Sequence, residues 1–266
     1  MNDKIEQGKS EFEKENYQKA LDCFNQIQEG EECYLYAQLH KIDCLMQLKQ
    51  YKEALEIIDM FIEDTSNVDV FWVEKVRCHL FLHEDAKARN ALKELERLYG
   101  EDDAEGLVKI AKFYNILNEN EKVIEYCDKA LAVDENYEPA LYEKLIAASA
   151  LKDEKLIENV SNDILDVCDN TLLGIMPVFT VYMISKKYEK CFELVGNCEL
   201  GDGIGEEYRL AFKSGLCQKL CEDLNVQIGT YEEVDWDIDT IFRILLDFKN
   251  NGVDHGEVDG VPYFIV

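Results

Sequence analysis

The sequence predicts an all-α chain: an α-α superhelix of about six helical hairpins, closed by a C-terminal helical cap. Two observations carry that expectation. Tyr17, Ala20 and Leu21 recur as Tyr51, Ala54 and Leu55, a shift of 51 − 17 = 34 positions, and an internal period of that size marks a stacked-repeat protein. Apolar residues also fall at i, i+3, i+4 and i+7, the spacing of one helix face. A repeat this short cannot bury its own apolar face and must lean on its neighbours.

The first unit reads Gly8-Lys9-Ser10-Glu11-Phe12, then Asn16-Tyr17-Gln18-Lys19-Ala20-Leu21, then Phe24 and Ile27. Phe12 ends the stripe of one helix, Glu15-Asn16 make the turn, and Tyr17, Ala20, Leu21, Phe24 and Ile27 form the stripe of the second. Gly8 and Ala20 are small, as two closely approaching helices require. On these residues the chain resembles the tetratricopeptide repeat family. Gly8, Phe12, Tyr17, Ala20, Phe24 and Ile27 fall on its signature spacing.

The resemblance continues through Tyr51, Ala54, Ile58 and Phe61 in a second unit and Trp72, Ala88, Leu92 and Leu95 in a third. The fourth holds Ala111, Tyr114, Val123, Ile124, Tyr126, Cys127, Ala130 and Leu131. The fifth (Leu141, Leu145, Ala148, Ile157, Ile164) and sixth (Phe179, Tyr182, Tyr188, Cys191, Val195, Cys198) keep the periodicity and lose the signature residues. The proline that usually closes each repeat is replaced by Glu32, Ser66 and Glu135. The similarity runs over roughly residues 2–204, dividing the chain into a repeat superhelix at 1–204 and a cap with tail at 205–266. In the cap, Tyr208, Leu210, Phe212, Leu216, Leu220 and Leu224 form one stripe; Ile241, Phe242, Leu245, Leu246 and Phe248 form a second.

Composition narrows the function classes. The 266 residues are 47% hydrophobic, enough for a continuous core. The longest apolar stretch, Thr171 to Ile184, is too short for a membrane span and holds Pro177, which a first helical turn tolerates. The amino terminus lacks the basic and apolar regions of a signal peptide, so a cytoplasmic location is expected. None of the ten cysteines sits in a CxxC pair, and Cys127, Cys191 and Cys198 stand where small packing residues belong. Cys217 and Cys221, one helical turn apart, are the pair to watch for redox or metal chemistry. The net charge of −28, from 56 acidic and 28 basic residues, would repel nucleic acid and anionic lipid. A protein or peptide partner is expected, with no nucleic acid and no membrane.

The resemblance implies a concave groove lined by the first helix of each unit. Carried over by position, its candidates are Ile5, Lys9 and Phe12; Tyr36, Leu39, Asp43 and Met46; Val70, Val73, Arg77 and Leu80; Glu105, Val108, Lys112 and Asn115; then Tyr142, Ile146 and Ser149. Such a lining suits an extended peptide or an amphipathic helix. For Phe12, Leu80 and Tyr142, packing between helices is the simpler role. Relatives that grip a chaperone's C-terminal carboxylate do so with lysines, asparagines and an arginine. The matching positions here are Ile5, Lys9, His40, Val70 and Glu74, of which Glu74 would repel the ligand.

Catalytic and metal motifs are weak. His79 and His83 stand four apart beside Cys78 and Glu84, without a second ligand cluster. Gly201-Asp202-Gly203-Ile204-Gly205 follows a helix among acids and reads as a linker rather than a phosphate loop. Asp235, Asp237 and Asp239 open like a calcium loop, but Thr240 and Leu246 occupy the required glycine and glutamate positions; Asp237 or Asp239 more simply caps a helix at Thr240–Phe248. Asp254-His255-Gly256-Glu257-Val258-Asp259 reads as a loop or small hairpin. It ends in an apolar anchor, Tyr263–Val266, that either docks onto the stack or is offered to another protein as a peptide ligand. The expected function is a non-catalytic adaptor without cofactor or metal, holding a peptide or protein segment in its groove. The alternatives are a dedicated client chaperone, or an enzyme or metal-binding protein using His255, Glu257 and Asp259.

Overall fold

The computed structural model describes residues 3–64, 69–168, 170–171, 174–199, 206–230, 236–258 and 261–266. Ser66, the linker 201–205, Asp235 and Asp259 lie outside them. The chain separates into two compact units, Met1–Tyr137 and Glu138–Val266. The division expected at residue 204 falls inside the second unit.

Four hairpins form the first unit: α1 (Asp3–Glu13) with α2 (Tyr17–Phe24), α3 (Tyr34–Gln47) with α4 (Tyr51–Asp64), α5 (Asp69–Phe81) with α6 (Asp85–Leu98), and α7 (Ala104–Ile116) with α8 (Asn120–Val133). Each helix packs on the next in order. The stripe read from the first unit is the seam: Ala20, Phe24 and Ile27 are buried with Ile5, Ile42, Ile58 and Phe71 in one core. The second unit holds two more hairpins, α9 (Glu138–Leu151) with α10 (Glu154–Val167) and α11 (Met176–Ile184) with α12 (Tyr188–Asn197). Pro177 sits in the first turn of α11, where its missing N–H costs no helical bond.

One device closes the first helix of all six hairpins. Glu15, Lys49, His83, Asn118, Lys152 and Lys186 adopt left-handed φ values of 55° to 61°, and they follow one another at 34 or 35 residues. The amide after each bonds back across the helix end, as in Asn16 N to Glu11 O (2.9 Å) and Gln50 N to Leu45 O (2.8 Å). This satisfies carbonyls the helix leaves open. Glycine, the usual residue there, occupies none of the six positions, so this turn signal is missing from the sequence.

The cap begins with α13 (Glu206–Leu224), which ends on the same turn at Asn225 (φ 54°). Leu216 and Leu220 are buried, whereas Tyr208 and Leu210 are exposed and so drop out of the expected stripe. Helix α14 (Ile238–Asn251) packs on α13, and Asp237 caps it by accepting from Thr240 N at 2.7 Å. Phe242 of α14 stacks on Phe192 of α12, ring centroids 3.9 Å apart.

The cap is not wholly helical. Strands β1 (Ile228–Thr230), β2 (His255–Val258) and β3 (Val261–Ile265) form an antiparallel sheet ordered β1-β3-β2. The expected hairpin is β2–β3; β1 is the addition, pairing Ile228 with Ile265. Among the described residues, β1 pairs with Tyr263–Ile265 and stops short of Pro262, which cannot donate to a neighbouring strand. Tyr263 lies over Gly256 on the partner strand, where a β-carbon would come within 2.7 Å of its hydroxyl. The final residues pair with other strands of the cap, and Gln227 and Val266 exchange backbone hydrogen bonds of 2.8 and 2.9 Å.

Candidate peptide-binding face

The left-handed residue gives every hairpin a common origin. Counting back from it, Lys9, Asp43, Arg77 and Lys112 all stand six residues before the turn, and Ile5, Leu39, Val73 and Val108 stand ten before. The candidate residues of the first unit therefore recur at matching positions of α1, α3, α5 and α7.

Burial divides them. Ile5 and Val108 are buried, at 2% and 3% exposure, and Ile5 belongs to the core. Neither is available to a ligand: the hairpin interior takes up this position in the first and fourth units. Leu39 and Val73 are half-buried. Tyr36 is exposed, with the Lys9 ammonium 4.8 Å above its ring and His40 edge-on at 4.3 Å. A hydrogen bond with Tyr36 raises the Lys9 pKa despite some desolvation. Tyr142 lies in the second unit, half-buried, and its hydroxyl donates to Glu138 at 2.9 Å.

The charges are arranged in pairs. Arg77 donates from one guanidinium nitrogen, Nη1, to both carboxylate oxygens of Glu74, at 2.8 and 3.0 Å. Glu74 is buried, and desolvation pushes its pKa up against the pull of Arg77. The His40 ring lies 3.5 Å from the Asp43 carboxylate, and Lys109 reaches Glu105 at 2.8 Å. Lys112 is exposed and makes no ion pair among the described residues.

Two residues of this face escaped the sequence reading. Phe81 and Ile116 are 54% and 61% exposed, each two residues before its left-handed turn and one helical turn beyond Arg77 and Lys112. One face of the Phe81 ring stacks on Tyr51 at 5.1 Å. Nothing local in the sequence separates either from a buried stripe residue, and only neighbouring side chains decide that they stay in water.

The chemical candidates resolve into structural roles. His79 is buried, its Nδ1 2.8 Å from Glu84, and His83 is a left-handed turn residue. Burial pushes the Cys44, Cys78, Cys191 and Cys217 thiols up to about 12. His255 is exposed on β2, 2.7 Å from Asp254. Among the described residues no three His, Cys, Asp or Glu side chains are grouped to hold a metal, and no helix is long and apolar enough to cross a membrane.

No family model matches the chain, and no curated protein matches it. Solved structures do. A tetratricopeptide repeat protein from Parabacteroides merdae superposes over 93% of this chain and 98% of its own, with a TM-score of 0.54 at 14% identity. Two likenesses are looser. MamA covers 68% of this chain and 97% of its own (TM-score 0.45, 14% identity). YrrB, described as a tetratricopeptide repeat protein with an unusual peptide-binding site, covers 60% and 82% (TM-score 0.44, 12% identity). At such identity the likeness is one of fold: this chain has the fold of tetratricopeptide repeat proteins.

Proposed function

We propose that this protein is a non-catalytic cytoplasmic adaptor that holds a peptide or protein segment against the first-helix face of its N-terminal unit. One observation carries the reading: Tyr36, Phe81 and Ile116 leave large apolar surface in water on α3, α5 and α7. Phe81 and Ile116 share one position of adjacent hairpins, and Tyr36 lies near the start of α3; exposed apolar groups beside charge suit a helix or extended strand laid across them. Buried cysteines used as small packing residues, Cys44, Cys78 and Cys191 among them, fit a reducing compartment.

The test is site-specific photocrosslinking in cells. A benzophenone residue at Tyr36 or Lys112 should form adducts with a discrete partner, whereas one at Glu56 or Lys93 on the second helices should not. Adducts formed from Glu56 and Lys93, with Tyr36 and Lys112 silent, would place the contact on the opposite face and overturn the reading.

A further inference from the structure

We propose that the segment held by this face is acidic: a peptide carrying carboxylates beside bulky apolar residues, seated on α5 and α7. The proposal rests on the adaptor reading and gives it a partner class. Two observations combine. Arg77 and Phe81 are four residues apart on α5, and Lys112 and Ile116 are four apart on α7, so each pair shares one helix face. The same count from the left-handed turns, six and two residues, places both pairs at the same position of adjacent hairpins. Two cations in one row and two exposed apolar side chains in the next therefore make a four-point array.

Charge selects the occupant. The chain carries 56 acidic against 28 basic residues, so an exposed row with two neighbouring cations stands out from its surroundings. Lys112 is unpaired among the described residues, and Arg77 spends only Nη1 on Glu74. A guanidinium has five N–H donors in a planar fork, which leaves donors for a ligand carboxylate. Of the acids nearby, Glu74 is engaged by Arg77 and Glu105 by Lys109, while Asp43 belongs to the preceding hairpin, 3.5 Å from His40. A basic segment would find no free acid in this array and would meet Arg77 and Lys112 directly. Ile116 and the open face of Phe81 supply the apolar contacts that give affinity, while the cations set register and choice of partner.

Three fluorescein-labelled peptide pools of ~12 residues test this, sharing Leu and Phe positions but carrying Asp/Glu, Lys/Arg or Ser/Gln between them. Binding to the full chain is read by anisotropy at about 50 and about 300 mM NaCl. The acidic pool should bind best and weaken with salt. Lys112→Glu should weaken it about tenfold, while Lys155→Glu, the same charge change on α10 in the other unit, should not. Both variants lie on exposed surface, and circular dichroism verifies their folding. Preference for the basic or neutral pool, or equal effects of the two variants, overturns the proposal. If the neutral pool binds and Tyr36→Ala abolishes it, the face stands and its acidic preference falls. If no pool responds to any first-helix variant, both fall.

Discussion

The Phe24 ring lies 2.6 Å from where a β-carbon on Gly8 would stand. Phe24 is fully buried and stacks on His40 at 5.2 Å, so it has little room to retreat. Alanine in an ordinary helix interior stabilises by up to about 1 kcal/mol over glycine. At Gly8 that gain is outweighed by overpacking, which costs about 1–3 kcal/mol. Gly8→Ala should therefore lower the urea midpoint of the N-terminal unit; a raised midpoint would show that the two helices approach less closely.

The six left-handed turns carry side chains that this conformation disfavours by about 1–2 kcal/mol. Lys49 and Lys152 are exposed at such turns. Lys49→Gly and Lys152→Gly should each stabilise by about 0.5–1 kcal/mol, after the added backbone entropy of the unfolded chain is subtracted. Because the sites lie in different units, the gains should add in the double variant, as measured by denaturant unfolding.

Asp223 on α13 accepts hydrogen bonds from Lys186 at the turn before α12 (2.8 Å) and from Tyr188 on it (2.5 Å), with Lys219 at 3.4 Å. Lys186, then Tyr188, hold its carboxyl well below the usual carboxylate range. A depressed folded pKa contributes stability above the unfolded value of about 3.9, lost as pH falls towards the folded one. The stability gap between wild type and Asp223→Asn should therefore be constant above about pH 5 and shrink below about pH 4. A gap unchanged across that range would mean that this carboxylate does not anchor α13.

Desolvation keeps Cys44, Cys78, Cys191 and Cys217 as neutral thiols far above ambient pH. Iodoacetamide at about pH 8 should spare all four in the native chain and modify them in urea. Mass spectrometry of digested protein checks this; native modification of Cys78 would show that the α5 seam opens.

The recurrence of Tyr17, Ala20 and Leu21 made the second helices legible because the backbones approach closely only over alanine. Asp237 was legible too, since a carboxylate three residues ahead of an amide is a local arrangement. What escaped depends on distance between elements. Repeat counting put Ile5, Leu39, Val73 and Val108 in one row, yet the packing around each decides exposure: Ile5 and Val108 sink while Leu39 and Val73 stay half open. Strand β1 has three residues and pairs with one more than thirty positions away, so no local pattern announced it.

The mutual bonding of Gln227 and Val266 closes the segment between them into a hoop that includes α14. A hoop does not fray from its tip. Cutting away Tyr263–Val266 would leave β1 and β2 without the strand that joins them, since each pairs with β3.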